Sequence, residues 1–294
     1  MSSQSNQRRS VFFLGTPEFA VPSLRALLAS ENFDVQLVIT QPDKPVGRKQ
    51  IVTAPPVKTI AIENGIPVFQ PENLNKEWAN RPVQTPPDFL VVVAYGQILK
   101  QEVLDAPIVA PVNVHASLLP HWRGASPIQH AVLNGDHESG VTVQRIVKEL
   151  DAGAILGKAV IILNERETSP ALHDKLSLLG ADILLKTLSE PLRPQEQVTA
   201  GVTVCKKLSR ADGNVDAATM TAEEIDRTVR ALVPWPGVRM TLDGEVVKIL
   251  ETEVHERGEC FSLPCAKNST LYITKLQAEG KKPVSGAEWK RARA

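Results

Sequence analysis

The sequence predicts two domains of different class, an α/β domain with a mostly parallel sheet followed by a small β-barrel. Three observations carry this. Strand-length apolar runs alternate with helical periodicities through the first two thirds of the chain. Residues 89–94 (FLVVVA) form a continuous, β-branched run, the mark of a central parallel strand buried on both faces. Past Pro191 the texture changes to short, evenly spaced strand-like runs with turn residues between them. The two folds read as Rossmann-like and OB-like, with domains over residues 1–191 and 205–294 and a polar, proline-bearing linker over 192–204.

The elements follow in order. Residues 10–14 read as a buried strand ending in Gly15-Thr16-Pro17-Glu18, and a helix follows over 19–29. A second strand covers 35–40. Residues 41–56, rich in proline and basic side chains, read as a loop. A helix over 57–64 stops at Gly65, and Val68-Phe69 is a short strand. After the central strand come a strand at 112–115, a helix at 126–134 with Pro127 in its first turn, an alternating strand at 140–147 and a long helix at 171–190. In the second domain Thr221 caps a helix at 222–232, with Glu224 three residues on. Strands follow at 238–242, 246–251, 260–263 and 270–275, and Asp243-Gly244 marks a hairpin. The first βα turn is not G-x-G-x-x-G, so no dinucleotide site is read there.

Composition narrows the function. Hydrophobic residues make up 43% of 294, enough for one large or two moderate cores. Lys+Arg and Asp+Glu both number 33, so a nucleic-acid partner must be met by a local basic patch. Aromatics are 4%, which argues against broad base-stacking platforms. The three cysteines, Cys205, Cys260 and Cys265, fit a reducing compartment rather than a disulfide framework. Cys260 and Cys265 have only His255 for company, and His121, His130, His137 and His173 lack ligand-spaced partners, so no metal is expected. The polar N-terminus is not a signal peptide, and no apolar run reaches bilayer length. A cytoplasmic protein without a membrane partner is expected, with monomer as the default.

Asn113 and His115 lie two apart on a strand, so both side chains leave the same face. They sit at its carboxyl end, where open α/β sheets place their ligands. Asp151, in the loop after the next strand, can return a carboxylate to that edge. These residue types suit acyl transfer. An amine attacking a formyl carbon creates an oxyanion and a surplus proton. An Asn amide can donate to the oxyanion, a contribution of about 2.7–4 kcal/mol in other enzymes. His can donate to the oxyanion or move the proton. Asp can fix the His tautomer, support its charged form or take the proton through water. Spacing alone fits equally well a pair of strand-end residues satisfied by the backbone.

The whole stretch 113–156, NVHASLLPHWRGASPIQHAVLNGDHESGVTVQRIVKELDAGAIL, is far more specific. It resembles the core of the folate-dependent formyltransferases: Asn-x-His, Ser-Leu-Leu-Pro, Arg-Gly, then Asp-x-Gly. Further matches are Gly15-Thr16-Pro17-Glu18-Phe19-Ala20, Gln41-Pro42-Asp43-Lys44-Pro45-x-Gly47-Arg48, Val92-Val93-Ala94-Tyr95-Gly96-Gln97-Ile98-Leu99, Pro234-Trp235-Pro236-Gly237 and Gly280-Lys281-Lys282-Pro283-Val284-Ser285-Gly286. Together they resemble the members of that family that act on an aminoacyl-tRNA, over nearly the whole chain.

The resemblance implies 10-formyltetrahydrofolate as donor and the α-amino group of methionine on initiator tRNA as acceptor. It implies Asn113, His115 and Asp151 as the catalytic trio. Ser117, Leu118, Leu119 and Pro120 match the turn that contacts folate, and residues 95–99 match the loop whose backbone borders the pterin. Apolar walls such as Ile98 and Leu99 suit a flat, polar-edged heterocycle. Arg123 reads first as a residue that holds the loop and second as a substrate contact. In the family, a basic loop at the position of residues 41–58 enters the tRNA acceptor arm. Here that segment is too long for an ordinary connection and carries Lys44, Arg48, Lys49 and Lys58 against Asp43. Arg48 is the first candidate there, with Lys44 and Lys49. Between Lys275 and Ala294, six cations oppose two acids, an edge that would hold a tRNA backbone without reading sequence. On charge alone, both segments read equally as solvated basic surface. The sequence departs from the family at Ala217, where an aromatic is common, and in a final element shorter than usual. The competing acceptor is an amino-sugar nucleotide or another small amine.

Overall fold

A computed structural model describes residues 8–47 and 49–293. Two units emerge. The first comprises the chain up to Arg123, Ser139–Ile161 and His173–Val204; the second comprises Gly124–Glu138, Ile162–Leu172 and Cys205 onward. Residues 192–204 thus group with the first unit, and two internal segments group with the second.

The first unit is built on a seven-stranded sheet. In chain order its elements begin with β1 (Arg9–Gly15), α1 (Val21–Ala29) and β2 (Phe33–Ile39), then β3 (Lys44–Val46), β4 (Ile51–Thr53) and α2 (Pro56–Glu63). There follow β5 (Val68–Phe69), α3 (Leu74–Glu77), β6 (Phe89–Val93), α4 (Gln101–Leu104), β7 (Ala110–His115) and β8 (Arg123–Gly124). After α5 (Pro127–Asn134), which groups with the second unit, come β9 (Glu138–Arg145), β10 (Ile155–Ile162), α6 (Ser169–Ser189) and β11 (Val204–Cys205). Strand order is β10-β9-β7-β6-β1-β2-β5, and the pairs from β7 to β5 are parallel, whereas β7 and β9 are antiparallel.

All five residues of β6 are buried, as its uninterrupted apolar run requires. Gly15 ends β1 because backbone and side chains crowd it: an added Cβ would lie 2.8 Å from the Phe13 ring and 3.0 Å from Val93 O. Thr16 Oγ1 donates to Tyr95 O and accepts from Gln41 N, tying together the carboxyl ends of β1, β6 and β2. On the face of β7 opposite Asn113 and His115, Val112 and Val114 are buried, and Gly180 of α6 lies against Val114.

One expectation needs correction. Residues 41–56 are not a plain loop, because β3 and β4 pair antiparallel as a hairpin, Val46 opposite Ile51. β-Branched Val46, Ile51 and Val52 flank the turn at Gly47 (φ +72°), which supplies the reversal. Every residue of the two strands is exposed. Arg48 lies outside the described residues.

The second unit continues with α7 (Ala222–Leu232), β12 (Val238–Leu242), β13 (Glu245–Glu253), β14 (Phe261–Pro264), β15 (Thr270–Ala278), β16 (Val284–Ser285) and α8 (Gly286–Arg291). The capping box is present: Thr221 accepts from Glu224 N while Glu224 accepts from Thr221 N. Asp243 and Gly244, both at positive φ, form the two-residue hairpin loop. The sheet runs β12-β13-β15-β14, with β16 on β15. Among the described residues these pairings form an all-β sheet that does not close into a ring. Its inner face buries Val238, Met240, Val247, Ile249, Leu271, Ile273 and Leu276, and α7 contributes Ile225, Val229 and Leu232 to the same core.

One polar cluster is set into that core. Asp226, 2% exposed, accepts from Arg166 Nη1 and Nη2 (3.0 and 3.1 Å), Arg230 Nε (2.9 Å) and Thr252 Oγ1 (2.9 Å). A carboxylate this buried requires such partners.

Candidate active site

β7 and β9 bring the site together. Their register sets Asn113 opposite Gln144 and His115 opposite Thr142. Directly opposed residues share a face, so these four side chains form one polar patch at the carboxyl end of β7. Thr142 is fully buried; its hydroxyl donates to Ser117 O and accepts from Leu119 N, which fixes the turn after the strand. Ser117 Oγ donates to His121 O, and Lys158 Nζ donates to Leu119 O at 2.7 Å. Burial lowers the Lys158 pKa below the ordinary lysine value. The 117–120 turn is therefore held on both sides, with Leu119 and Pro120 buried and Leu118 half-buried. Beyond β6, Tyr95 is 2% exposed and burial pushes its phenol upward, whereas Ile98 is 86% exposed.

His115, 6% exposed, has Nε2 2.9 Å from Trp122 O. A carbonyl only accepts, so Nε2 carries a proton, an assignment that rests on this hydrogen-bond pattern. The other nitrogen, Nδ1, lies 3.7 Å from Asp151 Oδ2. That spacing exceeds a direct hydrogen bond. Of the roles open to Asp151, which were fixing the tautomer, supporting the charged ring or taking the proton through water, the first falls in this geometry to Trp122 O. Asp151 faces the nitrogen that gains charge when the ring takes a second proton.

Asp151 itself sits in the left-handed region (φ +49°). Its carboxylate accepts from Gln144 Nε2 at 2.9 Å, and its carbonyl accepts from Gln197 Nε2 at 2.8 Å. Gly153 follows, because a Cβ there would lie 1.8 Å from Arg145 O. Arg123 donates from Nε and Nη2 to Gln197 Oε1. Gln144 was legible in principle, as an alternating β9 residue on the Asn113 face. Gln197 was not: it lies in the stretch read as linker.

Of the basic segment, Lys44 and Lys49 are exposed, while Lys58 is bound to Asp43 at 2.8 Å. Lys58 thus neutralises the segment's one acid and holds the Asp43 carboxyl below its usual range. Among the described residues no cluster of three His, Cys, Asp or Glu is placed to hold a metal, and no helix is long and apolar enough to cross a membrane. A cavity of about 240 Å³ lies within the second unit; Asp136, Glu165 and Glu167 oppose Arg227 and Arg230 there, so its lining favours no ligand of one sign.

An amide, an imidazole and a carboxylate at the carboxyl edge of an α/β sheet are groups that can serve a group-transfer enzyme. The particular group follows from comparison. Residues 8–188 match the family described as Formyl transferase, and residues 207–294 match Formyl transferase, C-terminal domain. The chain belongs to the formyl transferase family. It is 42% identical over 300 residues to the methionyl-tRNA formyltransferase of Methylococcus capsulatus, covering 97% of each chain. The methionyl-tRNA formyltransferase of Bacillus mycoides is 39% identical, over 96% of this chain and 95% of that one. Among solved structures, the fold is similar to WlaRD, a sugar 3N-formyl transferase determined with dTDP and 5-N-formyl-THF, at a TM-score of 0.66, 17% identity, and coverage of 94% and 100%. It is also similar to HypX from Aquifex aeolicus in complex with tetrahydrofolic acid, at a TM-score of 0.65 and 15% identity over 96% of this chain and 46% of that one.

Proposed function

We propose that this protein transfers the formyl group of 10-formyltetrahydrofolate to the α-amino group of methionine on initiator Met-tRNA, for translation initiation in the cytoplasm. Identity of about 40% to methionyl-tRNA formyltransferases over nearly full length supports the reaction. The single structural observation that carries it is the His115–Asp151 pair on the same patch as Asn113.

In this reading the amine attacks the formyl carbon, a C–N bond forms, and the carbonyl oxygen gains charge. Asn113 donates its amide hydrogen to that oxygen. The attacking nitrogen must lose a proton, and the departing nitrogen of the donor must gain one. His115 Nδ1, with Asp151 beside it, takes the first proton and returns it as the donor C–N bond breaks. Nε2 stays on Trp122 O, so the ring keeps one orientation through both steps. Ser117, Leu118, Leu119 and Pro120 hold the donor, whose heterocycle lies against the 95–99 loop and the exposed Ile98. Lys44, Arg48 and Lys49 of the 41–58 segment contact the acceptor arm. Residues 1–191 act as the catalytic domain, 192–204 as a linker that also lends Gln197 and Thr203 to the site, and 205–294 as an OB-like tRNA-binding domain in a monomer.

The test is direct. Purified protein supplied with 10-formyltetrahydrofolate should formylate Met-tRNA. Transfer to amino-sugar nucleotides but to no charged tRNA would refute the acceptor, and absence of transfer to any amine would refute the reaction.

A further inference from the structure

We infer that Gln197, working with Gln144, is a positioning residue that sets the Asp151 carboxylate against His115. The inference rests on the proposed formyl transfer for its kinetic test but not for its spectroscopic one.

The contacts close a ring whose last link, from Asp151 to His115, is a charge-facing approach rather than a hydrogen bond. His115 Nε2 donates to Trp122 O (2.9 Å). The next residue, Arg123, grips Gln197 Oε1 with Nε (3.1 Å) and Nη2 (2.6 Å). Gln197 Nε2 donates to Asp151 O and Gly153 O, both at 2.8 Å, and lies 3.4 Å from Gln144 Oε1. Gln144 Nε2 donates to Asp151 Oδ1 (2.9 Å), and Asp151 Oδ2 faces His115 Nδ1 (3.7 Å). The amide orientations follow from chemistry. A guanidinium only donates and carbonyls only accept, so Oε1 of Gln197 must face Arg123 and Nε2 must face the turn. Gln144 is oriented in the same way by the carboxylate.

Three features assign this ring to position rather than to general packing. Between Arg193 and Gly201, Gln197 is the one side chain that is not exposed. Its amide braces the turn at Asp151, a non-glycine residue at φ +49°, through the carbonyls of Asp151 and Gly153. Gln144 occupies a 2%-exposed site on β9 that an apolar side chain could fill, yet its amide is spent on Asp151. With Oδ1 occupied by Gln144, Oδ2 is the oxygen presented to His115. Trp122 and Arg123 are themselves pinned by Thr203, whose hydroxyl accepts from Trp122 N and whose carbonyl accepts from Arg123 N. The two ends of the ring therefore share one anchor.

The test uses Gln197→Glu and Gln144→Met. The first keeps an acceptor for Arg123 but loses both donors to the 151–153 turn. The second keeps volume but frees Oδ1. Each should lower kcat for Met-tRNA formylation by about ten- to a hundredfold, the scale of an ångström-sized misplacement, with KM for donor and tRNA within about twofold. In an Asp151→Asn background neither should cost more, because the residue through which they act is already altered. Independently of any acceptor, the ¹⁵N resonances of the His115 ring should move in each variant while the melting temperature is kept. Unchanged kcat, the same fold-loss with Asp151 present or replaced, or unmoved His115 resonances would overturn the inference. If Gln197→Glu does not fold, Gln144→Met decides alone. Wild-type protein that fails to formylate Met-tRNA while the resonances shift as expected would count against the proposed reaction, not the ring.

Discussion

Asp226→Asn should destabilise the second unit by about 3 kcal/mol. Breaking a buried ion pair by removing one partner costs about 3–5 kcal/mol, because the surviving charge stays buried. Two of the partners differ in what they lose. The Arg166 side chain is 40% exposed and also approaches Glu253 at 3.4 Å, so water and Glu253 recover much of its charge. Arg230 is 12% exposed and retains the Glu167 carbonyl, but its buried charge and the buried Thr252 hydroxyl must share one neutral amide oxygen. The loss therefore falls at the lower end of the range. At about 2–4 °C per kcal/mol, extended to a chain of this size, the melting temperature should fall by about 6–12 °C. Urea unfolding followed by circular dichroism and tryptophan fluorescence reads both the loss and any separate transition of the second unit. A loss under about 1 kcal/mol would show that the Asp226 cluster is no more than a set of exposed pairs, and the account of that core would be wrong.

Other expectations concern the active site, the basic hairpin and acid stability. Asn113→Ala should lower kcat by about a hundred- to a thousandfold with little change in stability, the usual effect of losing one oxyanion donor; His115→Ala should cost at least as much, and near-normal turnover of either removes it from the mechanism. Arg48→Ala and Lys49→Ala should raise KM for Met-tRNA and flatten its salt dependence while leaving donor KM alone, so unchanged tRNA kinetics would clear the hairpin. Asp212, bridged to Lys206 and bonded to Ser209, has a carboxyl held well below the usual range. Its folded value is depressed, so its contribution is complete above the ordinary carboxylate pKa and fades as pH falls below about 4. The melting-temperature gap between wild type and Asp212→Asn should narrow on acidification, and a constant gap would refute the assignment.

Local signals in this chain were strong where one residue's conformation depends on near neighbours. The capping box at Thr221 and Glu224, Pro127 at the start of α5, Asp243-Gly244 between β12 and β13, and the buried run of β6 all appear where the sequence indicates. Errors arose where length or composition misled. The proline-rich 41–56 segment hid a hairpin, because Val46, Ile51 and Val52 pair only once the Gly47 turn brings them together. β10 went unread behind the Asp151 turn, and α8 behind the basic tail.

For the site, sequence by itself determined that Asn113 and His115 share a face, because strand periodicity is local, and its motifs were specific enough to identify the family. It could not determine what surrounds them. The β7–β9 register sets Gln144 opposite Asn113, and a turn at Trp122 gives His115 the carbonyl that fixes its tautomer. Gln197, forty-six positions beyond Asp151, joins them only through the fold. Hydrogen bonds over such separations depend on where the backbone passes in space, and no periodicity along the chain encodes that; tertiary structure alone decided how the carboxylate meets the imidazole.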